Sequence, residues 1–134
     1  MAYYTERRLS GDFDETVERV IAALQDEGFG LLSDIDVQQK FEEKLGLEGY
    51  PRYRILGACN PPLAREGLDA EQNLGVLLPC NVIVYETEDG DIVVSAVEPA
   101  EMLSVVDNPA LSSIAEDVRD RFQRVLDQLP EESN

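Results

Sequence analysis

The chain has 134 residues, with 28 acidic side chains against 11 basic ones and no histidine, for a net charge of −17. That length suits one compact domain, and a hydrophobic content of 43% is enough to fill its core, which argues against a disordered chain. The longest apolar runs, such as Val76-Leu77-Leu78 and Val82-Ile83-Val84, fall far short of the roughly 20 residues that cross a bilayer, and the N-terminus lacks the apolar core of a signal peptide.

In chain order, Ala2 to Leu9 reads as a strand from its aromatic and alternating content. A helix follows, with Asp12 as N-cap, Glu15 three residues on, and Phe13, Val17, Val20, Ile21 and Leu24 on one face before Gly28 stops it. Phe29 to Ile35 reads as a second strand. Asp36 and Gln39 repeat the capping pattern, and Val37, Phe41 and Leu45 make a short helix that ends at Gly46. Tyr53 to Cys59 is a third strand, and Asn60-Pro61 is a cap followed by a helix-starting proline, opening a short helix to about Leu68. Gly75 to Glu86 reads as a central strand whose first part, carrying Pro79, is an edge or bulge. Asp89-Gly90 predicts a two-residue type I′ turn into a fifth strand, Asp91 to Val97. After a helical turn at Met102, Leu103 and Val106, Asn108-Pro109 starts the longest helix, of about 20 residues, striped by Leu111, Ile114, Ala115, Val118, Phe122, Val125, Leu126 and Leu129. Residues 130–134 read as a frayed tail.

The order β-α-β-β-β-β-α predicts a single α+β domain over residues 1–134, an antiparallel curved sheet of about five strands with two long helices on one face. Apolar residues at both phases of Val76 to Tyr85 leave the opposite face to be covered, most simply in a homodimer.

The acids are spread from Glu6 to Glu132, so they read as a solubility device and not as one binding block. Such a surface repels nucleic acid and anionic membranes, and neither is expected as a partner. Two lysines against nine arginines, with the acidity, point to a cytoplasm at high salt and to stability that rises with salt.

Little catalytic apparatus is visible. Without histidine there is no Ser-His-Asp or Cys-His arrangement and no imidazole metal site, and neither phosphate-loop pattern occurs. Glu86, Glu88, Asp89 and Asp91 crowd a hairpin but miss the calcium-loop spacing, so a metal-assisted hydrolase is a remote reading. Tyr50, Tyr53 and Tyr85 are read as covering a core edge, and Arg52 and Arg54 flanking Tyr53 as incidental, not as a nucleic-acid strand. Asp117–Arg121 and Asp120–Arg124 are read as ordinary helix-surface pairs.

The two cysteines are the best candidates. Antiparallel pairing of the third and fourth strands would bring Cys80 back to Cys59, and the helix start at Pro61 would place free N–H groups beside Cys59, favouring a thiolate or a bound anion. Asn60 would be the cap, Asn81 a polar neighbour and Arg54 a charge partner. The competing reading is that both thiols are buried core residues. A permanent disulfide is not expected in an ordinary cytosol, and two thiolates alone are an incomplete zinc site.

The stretch Tyr53 to Ala64, Tyr-Arg-Ile-Leu-Gly-Ala-Cys-Asn-Pro-Pro-Leu-Ala, and the stretch Leu74 to Glu86, Leu-Gly-Val-Leu-Leu-Pro-Cys-Asn-Val-Ile-Val-Tyr-Glu, resemble the family named domain of unknown function 302 (DUF302). Phe13 to Val17, Glu27 to Gly30 and Asn108-Pro109 extend the resemblance over roughly residues 3 to 129. It implies a small bacterial or archaeal α+β domain whose topology resembles one half of the TATA-box-binding protein, and a homodimer; with the composition it suggests a halophilic archaeal member. It carries over no catalytic residue, no cofactor, and no DNA binding, for which the chain lacks a basic saddle.

The sequence thus points to a cytoplasmic, non-catalytic dimeric domain that binds a small molecule or partner beside Cys59, Asn60, Pro61, Cys80 and Asn81, with no cofactor implied. The alternative is a thiol-based redox or metal-handling protein using Cys59 and Cys80.

Overall fold

A computed structural model describes residues 2–130. Five strands, β1 (Tyr4–Leu9), β2 (Gly30–Asp36), β3 (Tyr53–Cys59), β4 (Cys80–Glu86) and β5 (Ile92–Val97), form one sheet in the order β1-β5-β4-β3-β2, with every neighbouring pair antiparallel. Five helices join them: α1 (Phe13–Asp26), α2 (Val37–Leu45), α3 (Pro61–Ala70), α4 (Pro99–Leu103) and α5 (Ser112–Asp127). The α+β class, the strand order along the chain and the two long helices are as the sequence pattern predicts.

The helix starts follow their caps. Asp12 accepts from the Glu15 N–H at 2.9 Å and Asp36 from the Gln39 N–H at 2.9 Å, each satisfying a donor that the first helical turn leaves open. Gly46 ends α2 in the left-handed conformation, at φ 64°. Strand alternation turns Leu56, Val82, Val84, Ile92 and Val94 toward the helices, where they meet Phe13, Val17, Val20 and Leu24 of α1 and Phe122, Val125 and Leu126 of α5. Phe29 and Phe122 stack with ring centroids 4.9 Å apart. Burying each such side chain contributes about 1.5–3 kcal/mol before ordering costs, so this contact layer dominates the stability. At its rim Arg52 bonds Asp14 at 2.5 Å and lies over the Phe13 ring, 4.4 Å from its centroid, and Arg7 bonds Asp127 at 3.1 Å.

Several local expectations are corrected. Gly75 to Glu86 is not one strand: Gln72–Leu77 is a 3-10 helix, and the chain passes through a cis Leu78–Pro79 bond before β4 begins at Cys80. Leu74 buries instead in a second apolar cluster with Leu103, Leu111 and Ala115, Leu77 and Leu78 pack half-buried against it, and Pro79 has no N–H to donate to a ladder. The β4–β5 turn is not type I′. Asp89 keeps a negative φ and only Gly90 is left-handed, at φ 87°, the pattern of a three-residue loop in which one glycine takes the left-handed position. The Thr87 N–H donates to the Asp91 carbonyl at 2.9 Å and the Gly90 N–H to the Thr87 carbonyl at 3.0 Å, closing a three-residue loop. β1 starts at Tyr4 and not at Ala2. Asp117–Arg121 forms at 2.7 Å, but Arg124 reaches Glu27 at 2.9 Å and leaves Asp120 to Arg119 at 3.8 Å. The expected frayed tail lies outside the described residues from Glu131 onward.

Candidate functional site

Past the C-terminal end of β3 the architecture changes. The long helices no longer cover the sheet alone; α3, the 3-10 turn, α4 and the first turns of α5 bridge its end, and between them is a cavity of about 330 Å³. Phe29, Ala58 and Cys80 line it from the sheet side, Leu63, Ala64 and Leu68 from α3, Leu74, Gly75 and Leu78 from the connection, Met102 and Leu103 from α4, and Ile114 and Val118 from α5. Leu32 and Leu68 line it as well and remain partly in solvent, which gives the mouth an apolar rim. The enclosing segments are anchored. Gly67 lies so close to Leu74 that a β-carbon there would meet the leucine at 2.7 Å, and the Asn108 side chain donates to the Ala70 carbonyl at 2.9 Å.

Both cysteines line this cavity as free thiols, so the structure does bring them together. They are not directly opposed: the register pairs Cys80 with Ala58, one residue before Cys59. Cys80 is buried, and that burial pushes its pKa up to about 11, with the neighbouring Cys59 adding in the same direction. At neutral pH Cys80 is therefore a neutral wall group and a poor nucleophile.

Asn60 caps α3 as expected, its Oδ1 accepting from the Leu63 N–H at 3.2 Å, and it too lines the cavity. The anion-binding helix start does not materialise. Pro61 and Pro62 have no N–H, the Leu63 N–H is held by Asn60, and the Ala64 N–H bonds the Asn60 carbonyl at 2.8 Å. Pro61 is exposed at the outer start of α3.

Two expected members of the site lie elsewhere. Arg54 makes a two-pronged ion pair with Asp34 of β2, with Nε to Oδ1 at 2.7 Å, and that hydrogen bond holds its pKa above the usual arginine value. It is five residues before Cys59, about 16 Å along an extended strand, too far to act on the thiol. Asn81 alternates to the opposite, open face of the sheet, next to Ile83, Tyr85 and Ser95. On that face Tyr53 and Tyr85 stack at 5.4 Å, and burial raises the pKa of both phenols. Tyr50 packs instead on Phe41, at 4.8 Å.

The hairpin acids do not converge either, since Asp91 is engaged by Arg8 at 3.1 Å. Among the described residues no group of three or more Cys, Asp or Glu side chains is placed to hold a metal ion, and no helix is long and apolar enough to cross a membrane. Sequence reasoning missed the cavity walls. Met102 and Leu103 show in the sequence only as a helical turn, and a void leaves no local pattern in the residues that surround it.

The chain matches the profile of a family described as domain of unknown function DUF302 over residues 5–129. A solved structure titled as an uncharacterized conserved protein DUF302 from Bacillus stearothermophilus is similar to it, with 32% identity and a TM-score of 0.89, over 97% of this chain and 100% of that one. No match is found among curated proteins.

Proposed function

The chain belongs to the DUF302 family, and from that premise and its geometry we propose that it is a non-catalytic binding domain that holds a small apolar molecule at the end of the sheet, beside Cys59 and Cys80. The cavity carries this reading. At about 330 Å³ it falls within the roughly 300–1,000 Å³ of small-molecule sites, and its walls are apolar with few polar groups, as in such sites. It holds roughly a dozen non-hydrogen atoms at the packing density of a protein interior, and its open mouth lets a larger molecule protrude past Leu32 and Leu68. In this account the thiols are polarizable wall atoms, and the raised Cys80 pKa supports that role over the redox or metal-handling alternative.

The test is titration with the neutral fluorophore phenylnaphthylamine, with Ala64→Phe as the filled-cavity control. Saturable binding that A64F weakens by about tenfold or more supports the proposal. Binding unaffected by A64F would contradict it.

A homodimer through the open sheet face is part of the same proposal. Ile83, Tyr53, Tyr85 and Val97 make that face largely apolar, and Glu6, Asn81 and Ser95 are polar members in the same hollow. A chain of net charge −17 needs such a charge-poor patch, and screening salt, for two copies to meet. Sedimentation in molar KCl should give a dimer that Ile83→Asp dissociates; a wild-type monomer would overturn this part. The cytoplasmic, high-salt setting belongs to the same reading, and its check is a melting temperature that rises steeply from low to molar KCl.

A further inference from the structure

Resting on the reading of the cavity as a binding site, we infer that its ligand is uncharged: an apolar chain or ring with at most one hydrogen-bonding group, not a carboxylate, a phosphate ester or an amine. Among the described residues no Lys, Arg, Asp or Glu side chain lines the cavity. Its polar wall side chains are the Asn60 amide and the two thiols, of which Cys80 is neutral by burial.

The arginines and the α3 N–H groups from which an anion could draw charge are committed. The first two residues of α3 are prolines, and the next two N–H groups are bonded to Asn60. Arg121 comes near Gly28 on the Asn60 side, but it donates to Asp117 at 2.7 Å and to the Glu27 carbonyl at 2.7 Å. Arg54 is held by Asp34. An anion would remain unpaired in the cavity, and an ammonium would find no carboxylate in the wall. Unpaired charge in an apolar enclosure carries a desolvation cost that no contact here offsets. With its Oδ1 accepting from Leu63, Asn60 has the Nδ2–H group left to donate to a single hydroxyl or carbonyl oxygen, and the exposed Leu32 and Leu68 let an apolar tail run out through the mouth.

The experiment displaces phenylnaphthylamine with decanol, decanoate and decylamine at neutral pH in molar KCl, for the wild-type protein and for Leu68→Lys, which brings a cation to the partly exposed mouth. Decanol should compete about tenfold or more better than either charged analogue, and L68K should improve decanoate by about two- to fivefold relative to decanol. Decanoate or decylamine binding as tightly as decanol in the wild type would overturn the inference and leave the cavity reading standing. An unchanged ranking in L68K would also overturn it, since the charge of the wall would then not set the preference. Failure of all three, and of the fluorophore, would overturn the cavity reading itself.

Discussion

The two ends of the helix-covered sheet are built from the same kinds of residue and differ in how they are filled. Under α1 and α5, Leu56, Val82 and Val84 are wholly buried and close against the helices. At the far end, Leu63, Leu68, Leu78 and Met102 surround about 330 Å³ of space. The difference lies in the covering elements. Long helices lay a continuous stripe onto a strand surface, whereas a ten-residue helix, a 3-10 turn and a five-residue helix touch the sheet at separate points and arch over it. Apolar composition alone therefore does not produce a filled core; continuity of the packing element does.

The sharpest way to break this contrast is a matched pair of truncations. Leu56→Ala, in the filled end, should cost about 2–5 kcal/mol in denaturant unfolding, whereas Leu63→Ala, on the hollow, should cost about 1 kcal/mol because its side chain already lacks neighbours on one side. Equal losses would mean that the two ends are packed alike.

A second prediction uses Cys80, which stands where the two ends meet. Its folded pKa of about 11 exceeds the ordinary thiol value, so the unfolded chain releases its proton first as pH rises. Stability is thus intact below the unfolded pKa and falls as pH climbs through the folded one, by roughly 2–3 kcal/mol in all. Comparing wild type with Cys80→Ala across that window isolates the effect; identical slopes would show that Cys80 is not buried as described.

Gly57→Ala probes the outer wall beside Pro79. A β-carbon at Gly57 would lie 2.8 Å from the Pro79 ring and also meet the Ser33 side chain, so the variant should lose about 1–3 kcal/mol. A neutral result would mean that the wall near the hollow yields freely. The smallest stability effect belongs to A64F, which adds contacts to the void and should leave the melting temperature nearly unchanged while removing the space for a ligand.

Features governed by neighbours in sequence were legible beforehand. Asp12, Asp36, Asn60 and Asn108 announce helix starts through their own side chains, and the stripe from Leu111 to Leu129 declares its buried face by period alone. The approach of the two cysteines was readable only on the condition that β3 and β4 pair antiparallel across their long connection, and that pairing forms. What escaped depends on tertiary geometry. The run from Gly75 to Leu78 is apolar at both strand and helix spacing, and only the second cluster decides that it coils. Arg54 and Asn81 are near Cys59 and Cys80 in sequence, but pairing with Asp34 and strand alternation carry them away. The double proline at the start of α3 was visible, yet its consequence, a helix start without donors to offer, emerges only once the bonds of Leu63 and Ala64 are traced.

The most direct test is a methyl NMR titration with decanol in molar KCl. The account predicts saturable shifts at Leu63, Leu68, Leu78, Met102 and Ile114, with Leu56, Val82 and Val84 undisturbed. Shifts confined to Ile83 and Val97 on the open face, or none at the cavity methyls, would contradict it.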